Sequence, residues 1–316
     1  MSARRISFVN FKGGVGKTSL TVNLAACLAA EYQQKVLLVD CDAQSNSSIW
    51  LMGANRWNAI NESPEKTIYS VFIDQNIAQP MHLNIIKSVI RDGDDMALLP
   101  TLDLLPATYA LMDLEHEYQD VGGYPYFLKF NLQLSQFFSS YDYILFDCPP
   151  NVYRATKCAL FSSEEIYIPC NPDILSFVGL TLLGQKVGQF QQESTPFQAM
   201  AQDYRHAQIR GIILNGLKGP AKYDDILDKM KAKIYGMRTQ SATASDAEIL
   251  PRRIPHSVTV GKTATEHLPV ILTDGNSQMK QAYTELAAYI HQKPPQQMIH
   301  KLSTFNQNGN RRKNNK

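Results

Sequence analysis

The chain has 316 residues, of which 44% are hydrophobic and 19% charged, a composition that excludes collagen-like, disulfide-scaffold and disordered proteins. Its 31 basic and 29 acidic residues leave a formal net charge of +2, so any nucleic-acid binding must come from a local patch. No apolar run approaches the roughly 18–20 residues of a membrane-spanning helix, and the N-terminus lacks a signal-peptide layout. Five cysteines without a CxxC pair suit a reducing compartment, so we expect a cytoplasmic protein.

Apolar strands and helical stretches alternate along the chain. A short strand at 6–9 leads into a glycine-rich loop, a helix at 18–31 and a second strand at 36–39. Further strands are predicted at 96–99, 143–146, 166–168 and 209–214, and further helices at 107–118, 126–138, 155–161, 175–190 and 278–291. Continuous apolar strands between helices indicate a sheet covered on both faces. The predicted fold is therefore α/β, a doubly wound, mostly parallel sheet with helices on both faces.

The domain organisation follows from changes in composition. We expect residues 1–292 to form a single domain, with a less regular peripheral insertion near 55–95. The last segment, 293–316, turns to proline, then to asparagine and glutamine, and then to basic residues. Such a composition is typical of a disordered tail.

The glycine-rich loop has the form of a phosphate-binding loop. Residues 13–18 read Gly-Gly-Val-Gly-Lys-Thr and stand between a strand and a helix, where backbone N–H groups and the helix N-terminus can surround a phosphate. In such loops the lysine, here Lys17, reaches the terminal phosphates and the hydroxyl, here Thr18, ligates Mg²⁺. The strict pattern requires glycine where Phe11 stands, and a second lysine, Lys12, heads the loop. These residues predict a nucleotide site.

The segment 12–18 resembles the deviant Walker A motif of the ParA/MinD family of P-loop ATPases. Four further segments are similar to motifs of that family, in order along the chain: Val39–Asn46 to its switch segment, Tyr143–Pro150 to its Walker B strand, Gly211–Asn215 to the strand before its adenine pocket, and Ile254–Pro269 to its C-terminal proline-rich segment. The resemblance spans residues 5–270. It implies ATP and Mg²⁺ as cofactors and a slow hydrolysis of ATP to ADP and phosphate.

The resemblance also implies roles for individual residues. Lys12 would cross a dimer interface to the partner's nucleotide, Asp42 would position or activate the attacking water, and both would act in catalysis with Lys17. The implied nucleotide-binding residues are Lys12, Gly13, Gly14, Val15, Gly16, Lys17, Thr18, Ser19, Asn215 and Pro255. The implied magnesium residues are Thr18, Asp40 and Asp147. Two alternatives stay open, because Asp40 could instead hold the loop geometry and Asn215 could be a turn residue at a strand end.

Three functions compete for this site. A ParA-like ATPase dimerises on ATP, binds DNA without sequence preference and positions a plasmid, chromosome or protein assembly until a ParB-like or other adaptor stimulates hydrolysis. A MinD-like ATPase instead binds membrane through a C-terminal helix, but residues 298–305 are too short and polar for one. A metabolic P-loop enzyme needs a second substrate site, for which the sequence offers no spaced His/Asp/Glu group. The ParA-like function, nucleoid-associated in the cytoplasm and without membrane binding, is the prediction.

Basic residues in two regions support DNA binding. The family contacts DNA phosphates from the corresponding segments, and the residues concerned here are Arg252, Arg253, His256, Lys262, Lys218 and Lys222. The match departs from the family at His256, where many relatives have arginine, and at Lys262, where an acid is frequent. Phosphate neutralisation depends on the number of charges, so Arg252 and Arg253 could compensate.

Overall fold

The computed structural model describes residues 2–63, 67–73, 85–113, 124–201, 203–218, 223–275 and 277–295. The strands within these ranges are β1 Arg4–Phe8, β2 Val36–Asp40, β3 Leu102–Leu105, β4 Tyr143–Asp147, β5 Glu165–Cys170, β6 Gln208–Leu217, β7 Thr243–Ile249 and β8 Ile254–Pro255. The helices are α1 Lys17–Tyr32, α2 Asn46–Met52, α3 Ala54–Asn61, α4 Ser70–Ile73, α5 Tyr126–Ser135, α6 Arg154–Ser162, α7 Ile174–Ser194, α8 Asp224–Met237, α9 Thr259–Thr265 and α10 Ser277–Gln292.

The strands form one parallel sheet in the order β3-β2-β4-β1-β5-β6-β7, with β8 pairing the end of β6. One core lies between the sheet and the α5, α6, α7 and α8 side, and a second lies between the sheet and α1 and α10. The inner strands are buried along their whole length, as expected when helices cover both faces. The predicted fold class is confirmed.

The sheet has two functionally different edges. In the register, Asp40 pairs with Asp147 and Phe8 also pairs with Asp147. The carboxyl ends of β1, β2 and β4 therefore meet at one edge, where open α/β sheets bind ligands. The opposite, amino edge carries buried charges of both signs.

Those opposite charges pair with one another. Glu165 lies 2.8 Å from Arg4 and 2.9 Å from Arg210, and Arg210 lies 2.8 Å from Asp246. Arg4 also donates to the Ile290 carbonyl at the end of α10. We call Arg4, Glu165, Arg210 and Asp246 the amino-edge cluster. It ties the ends of several strands and a helix together.

Most predicted elements are confirmed, but the strand at 96–99 is wrong. Met96 and Leu98 are exposed on a turn closed by the bridge between Arg91 and Ala97, and the buried strand is the next apolar run, β3. Strand β7 was also not predicted from the sequence. Its polar sequence lacks the apolar run that marks the inner strands.

The described parts of the irregular segment 55–95 lie along the β3 edge. Trp57 and Phe72 are buried, and Ile86 pairs antiparallel with Leu104 of β3. The predicted helix at 107–118 lies only partly within the described residues, and the tail lies outside them from residue 296 onward. In the part of the chain that the structure describes, none of the helices is long and apolar enough to cross a membrane.

Candidate nucleotide-binding site

The glycine-rich loop leaves β1 and closes against β6. Gly16, the N-cap of α1, has φ of 79°, a backbone region that favours glycine. A Cβ atom at Gly16 would collide with the side-chain amide of Asn215. That amide donates to the Val15 carbonyl over 2.7 Å. Asn215 therefore fixes the loop in this structure, while its predicted contact with adenine stays a prediction.

The two lysines of the loop point to different partners. Lys17 is buried and donates to the Lys12 carbonyl over 3.2 Å. Burial lowers the pKa of Lys17, and the charge of Asp147 offsets part of this change. The Lys12 ammonium lies 2.6 Å from Asp173, and both side chains are about one-third exposed, at 33% and 35%. Lys17 thus lies within its own loop, whereas Lys12 lies at the surface.

Asp40 organises the segment that follows β2. Its Oδ1 accepts from the Asp42 N–H over 3.1 Å, and its Oδ2 accepts from the Ser48 N–H and hydroxyl over 2.9 and 2.7 Å. Burial raises the pKa of Asp40 well above its usual range, and the nearby Asp147 raises it further. These contacts match the loop-holding alternative for Asp40, and its magnesium role stays a prediction.

Asp147 is the buried acid at the end of β4. Its Oδ2 accepts from the Ser47 hydroxyl over 2.5 Å, while its Oδ1 has no hydrogen-bond partner among the described residues. Burial raises the pKa of Asp147 to about 6, and the Ser47 hydrogen bond limits the increase. A buried carboxylate oxygen with spare acceptor capacity fits a hard cation such as Mg²⁺.

Two clefts meet at the loop. The first has a volume of about 660 Å³ and is bordered by the loop residues, Asp42, Trp50 and helix α9. The second, of about 420 Å³, is bordered by Asn215 and Pro255. Gly14, Gly16 and Ser19 border both. Volumes of this size suit a small-molecule ligand, so the structure brings together the predicted phosphate, water-positioning and base-side residues.

The predicted DNA residues lie around β8, beside the second cleft. Lys218 and His256 are neighbours, because the His256 N–H donates to the Leu217 carbonyl over 2.8 Å. Arg253 and Lys262 are exposed. Arg252 is half-exposed and pairs with Glu285 of α10 over 3.0 Å. Lys222 lies outside the residues that the structure describes.

Several residues of the site were not predicted from the sequence. Ser47 and Ser48 hold the two buried acids, and Trp50 borders the first cleft while donating to the Leu268 carbonyl over 3.1 Å. Asp173 carries a local signal, since it precedes a helix as an N-cap residue. Nothing local shows that its partner is Lys12, which lies far away along the chain.

A glycine-rich loop between strand and helix, with a buried lysine and facing strand-end acids, defines a P-loop nucleotide-binding protein. Residues 3–199 match the AAA_31 family model, described as an AAA domain. The chain belongs to this family and is a ParA/MinD-type ATPase family member.

Named relatives extend the likeness over most of the chain. The chromosome partitioning protein ParA of Caulobacter vibrioides is 26% identical over 284 residues, covering 90% of this chain and 92% of that protein. The sporulation initiation inhibitor protein Soj of Bacillus subtilis is 28% identical over 287 residues, covering 89% and 96%. The cell division ATPase MinD of Pyrococcus furiosus has a TM-score of 0.59 at 20% identity, covering 92% of this chain and 100% of that one. This last comparison shows the shared fold.

Proposed function

We propose that this chain is an ATPase that dimerises on ATP, binds DNA without sequence preference and positions a cargo such as a plasmid, a chromosome or a protein assembly. The observation that carries the proposal is the different burial of the two lysines of the loop. Lys17 is buried within the loop, whereas Lys12 is at the surface in a partly exposed ion pair. A partition role agrees with the names of the relatives ParA and Soj.

The site residues would divide the chemistry as follows. The phosphates are bound by the backbone N–H groups from Gly13 to Ser19 and by the Lys17 ammonium. This ammonium donates to the Lys12 carbonyl and therefore already points into the loop. Thr18 and Asp147 would hold Mg²⁺, which neutralises phosphate charge when it is bound. Asp42, buried at the first cleft, orients the attacking water. Lys12 reaches the nucleotide of the second subunit.

The basic residues around β8 would bind DNA through its phosphates. Arg252, Arg253, His256, Lys262 and Lys218 are all at the surface, and Lys222 is assigned to the same group from sequence. Binding to phosphates alone carries no sequence information. A protein with this surface is expected to be associated with the nucleoid in the cytoplasm, and a ParB-like or other adaptor would stimulate its slow hydrolysis.

The first experiment is binding to random-sequence duplex DNA with ATP, with ADP and without nucleotide, each over a salt series. We expect binding only with ATP, falling steeply with salt because counterions are released. Absence of binding in every nucleotide state would contradict the proposal. Flotation with anionic liposomes and ATP would then test the membrane-cycling alternative.

A charge-reversal variant locates the DNA surface. Arg252→Glu with Arg253→Glu should abolish binding, and single Arg→Ala changes should each lower the slope of log K against log salt by about one. ATP binding should be unchanged, since neither arginine borders the two clefts. The matched control is Lys35→Glu with Lys231→Glu, two exposed lysines with the same total charge change. Equal losses in both double variants would show a net-charge effect and remove this surface assignment.

A further inference from the structure

The C-terminal helix α10 runs from the nucleotide site to the amino edge of the sheet. Near its start, Met279 and Tyr283 border the second cleft, and each is only 1% exposed. At its end, Arg4 of the amino-edge cluster donates to the carbonyl oxygens of Ile290 and, over 3.0 Å, of Lys293. With 16 residues the helix is about 24 Å long. It therefore joins the two edges of the sheet.

The first two turns of helix α1 carry a chain of polar contacts. The Ser19 hydroxyl donates to the Gly16 carbonyl over 3.0 Å, and the Asn23 side chain donates to the Ser19 carbonyl over 2.7 Å. The side-chain oxygen of Asn23 accepts from the Val270 N–H over 2.7 Å. Asn23 is 1% exposed, so its amide has exchanged water for these partners. The contacts connect the N-cap of α1 with the segment that precedes α10.

Tyr283 reaches these contacts from α10. Burial raises the pKa of Tyr283, and hydrogen bonding with the side chains of Ser19 and Asn23, which lie beside its hydroxyl, opposes the increase. Ser19 and Tyr283 also border the same cleft, and Leu286, almost one turn further on, is buried in the core that α10 shares with α1. A phenolic hydroxyl both donates and accepts. It can therefore hold the Ser19 side chain in the rotamer that donates to Gly16.

We propose that Tyr283 is a positioning residue of the nucleotide site and that it acts through Ser19. The inference rests on nucleotide binding by the phosphate loop, and it requires neither the dimer nor the DNA binding of the proposed function. Ser19 borders both clefts and its hydroxyl donates to Gly16, the left-handed N-cap of α1. A serine without a fixed partner samples several staggered rotamers. Tyr283 removes that freedom before the nucleotide arrives, which lowers the cost of ordering the loop around the phosphates.

The same contact makes α10 sensitive to the nucleotide. Coupling between two parts of a protein is reciprocal in free energy. Because a docked α10 strengthens nucleotide binding, the nucleotide stabilises the docked α10 by the same factor. The far end of α10 is held by Arg4, so occupancy of the site at the carboxyl edge also affects the amino edge.

The test is Tyr283→Phe, which keeps the ring and its packing and removes one oxygen atom. The probe is ADP with Mg²⁺, titrated by calorimetry, because the proposed dimer forms on ATP. The Kd for ADP should rise about three- to tenfold, the effect of losing one hydrogen bond of ordinary strength. The rate of hydrolysis at saturating ATP should change by less than about twofold, since a residue that acts on binding alone leaves kcat unchanged. An unchanged Kd would overturn the inference.

A double-mutant cycle shows whether Tyr283 acts through Ser19. Ser19→Ala removes the hydroxyl that Tyr283 holds and should itself weaken ADP binding. Adding Tyr283→Phe to Ser19→Ala should then cause no further weakening, because the effects of two residues that share one contact are not additive. Additive losses would overturn the route through Ser19.

The matched control is Tyr289→Phe, the same change on the same helix. The Tyr289 hydroxyl donates to Glu248 over 2.5 Å, and Tyr289 lies about 9 Å further along the helix axis than Tyr283 and borders neither cleft. This variant should bind ADP as the wild type does, even where its thermal stability falls. Equal weakening of ADP binding in both variants would show a general loosening of α10 and overturn the inference.

Hydrogen exchange provides a measurement that needs no variant. Exchange of residues 279–290 should slow when the wild type binds ADP with Mg²⁺. A wild type that binds ADP without this protection would overturn the inference alone. A wild type that shows the protection but neither dimerises nor binds DNA with ATP would support the inference and contradict the proposed function. A wild type that binds no nucleotide would remove both.

Discussion

The two edges of the sheet both bury charge, but they treat it differently. At the amino edge, Glu165 is shared between Arg4 and Arg210. At the carboxyl edge, Asp40 and Asp147 are buried side by side. Asp40 accepts from the N–H and the hydroxyl of Ser48, and Asp147 accepts from the hydroxyl of Ser47. An oxygen of Asp147 has no protein partner in the described residues.

The charges at the amino edge stabilise the fold, whereas the charges at the carboxyl edge are available to a ligand. Breaking a buried ion pair leaves an uncompensated charge, which is strongly destabilising. A buried carboxylate with a raised pKa and spare acceptor capacity is destabilising as it stands, and such groups concentrate at functional sites. The amino edge should therefore respond to mutation through stability, and the carboxyl edge through ligand binding and turnover.

The largest effect is expected for Asp42 at the carboxyl edge. Asp42→Ala should lower the rate of ATP hydrolysis by about 10²–10⁴-fold, the usual contribution of a residue that activates a nucleophile. ATP binding should persist, so single-turnover assays should find trapped ATP.

Asp42→Asn is the matched variant. The amide retains an acceptor for the Gln44 N–H, which Asp42 binds over 3.0 Å, yet it cannot act as a base. It should be as slow as the alanine variant. Undiminished turnover in the alanine variant would remove Asp42 from its role at the attacking water. Undiminished turnover in the asparagine variant alone would show that Asp42 does not act as a base.

Glu165 should show the opposite behaviour at the amino edge. Glu165→Gln removes the buried negative charge that pairs with both Arg4 and Arg210. The variant should therefore have a free energy of unfolding about 3–5 kcal/mol lower than the wild type. Denaturant unfolding measures this loss. Nucleotide affinity of the remaining folded protein should match the wild type, and a selective loss of affinity would contradict the division between the edges.

The folded protein should become more stable when the charge of Asp147 is removed. Its pKa of about 6 against an ordinary value of 3.8 corresponds to about 3 kcal/mol of destabilisation at neutral pH. Without nucleotide, Asp147→Asn should therefore unfold at higher denaturant than the wild type at pH 7.5, while losing Mg²⁺-dependent hydrolysis.

The pH dependence gives the sign of this effect. A carboxyl whose pKa is raised on folding destabilises the protein above the folded pKa, and the destabilisation is lost as pH falls through about 6 towards 3.8. The stability difference between Asp147→Asn and the wild type should shrink over that range. A constant difference from pH 7.5 to 4 would show that the gain has another cause.

The smallest effect is expected where a charge is paired but accessible. Asp173→Asn removes the ion pair with Lys12 while asparagine remains a good N-cap. Exposed pairs contribute at most about 1 kcal/mol each, and a dimer contains two of them, so ATP-dependent dimerisation should strengthen by no more than about 30-fold. Asp173→Ala, which also loses the cap, should additionally lower thermal stability. Weaker dimerisation of the asparagine variant would mean that Asp173 assists assembly.

The parts of the molecule that were predicted from sequence are those with a local cause. The β1-loop-α1-β2 unit follows from apolar runs around a glycine pattern, and Lys17 and Thr18 follow from their places in it. Asp147 follows from its place at the end of the apolar strand β4. The features that were not predicted depend on residues that lie far apart along the chain. Two similar apolar runs follow one another before β4, and tertiary packing selects β3 over 96–99. The contacts of Lys12 with Asp173 and of Arg252 with Glu285 join segments that are remote along the chain.

The position of Trp50 has a practical consequence. The chain contains two tryptophans. Trp57 is buried and donates to the Ala107 carbonyl, away from both clefts, whereas Trp50 borders the first cleft together with Asp42 and Lys17. Indole emission depends on its surroundings, so ultraviolet fluorescence should change when nucleotide arrives and again when it leaves. Trp50 provides an optical signal by which each stage of the cycle can be timed in the unlabelled protein.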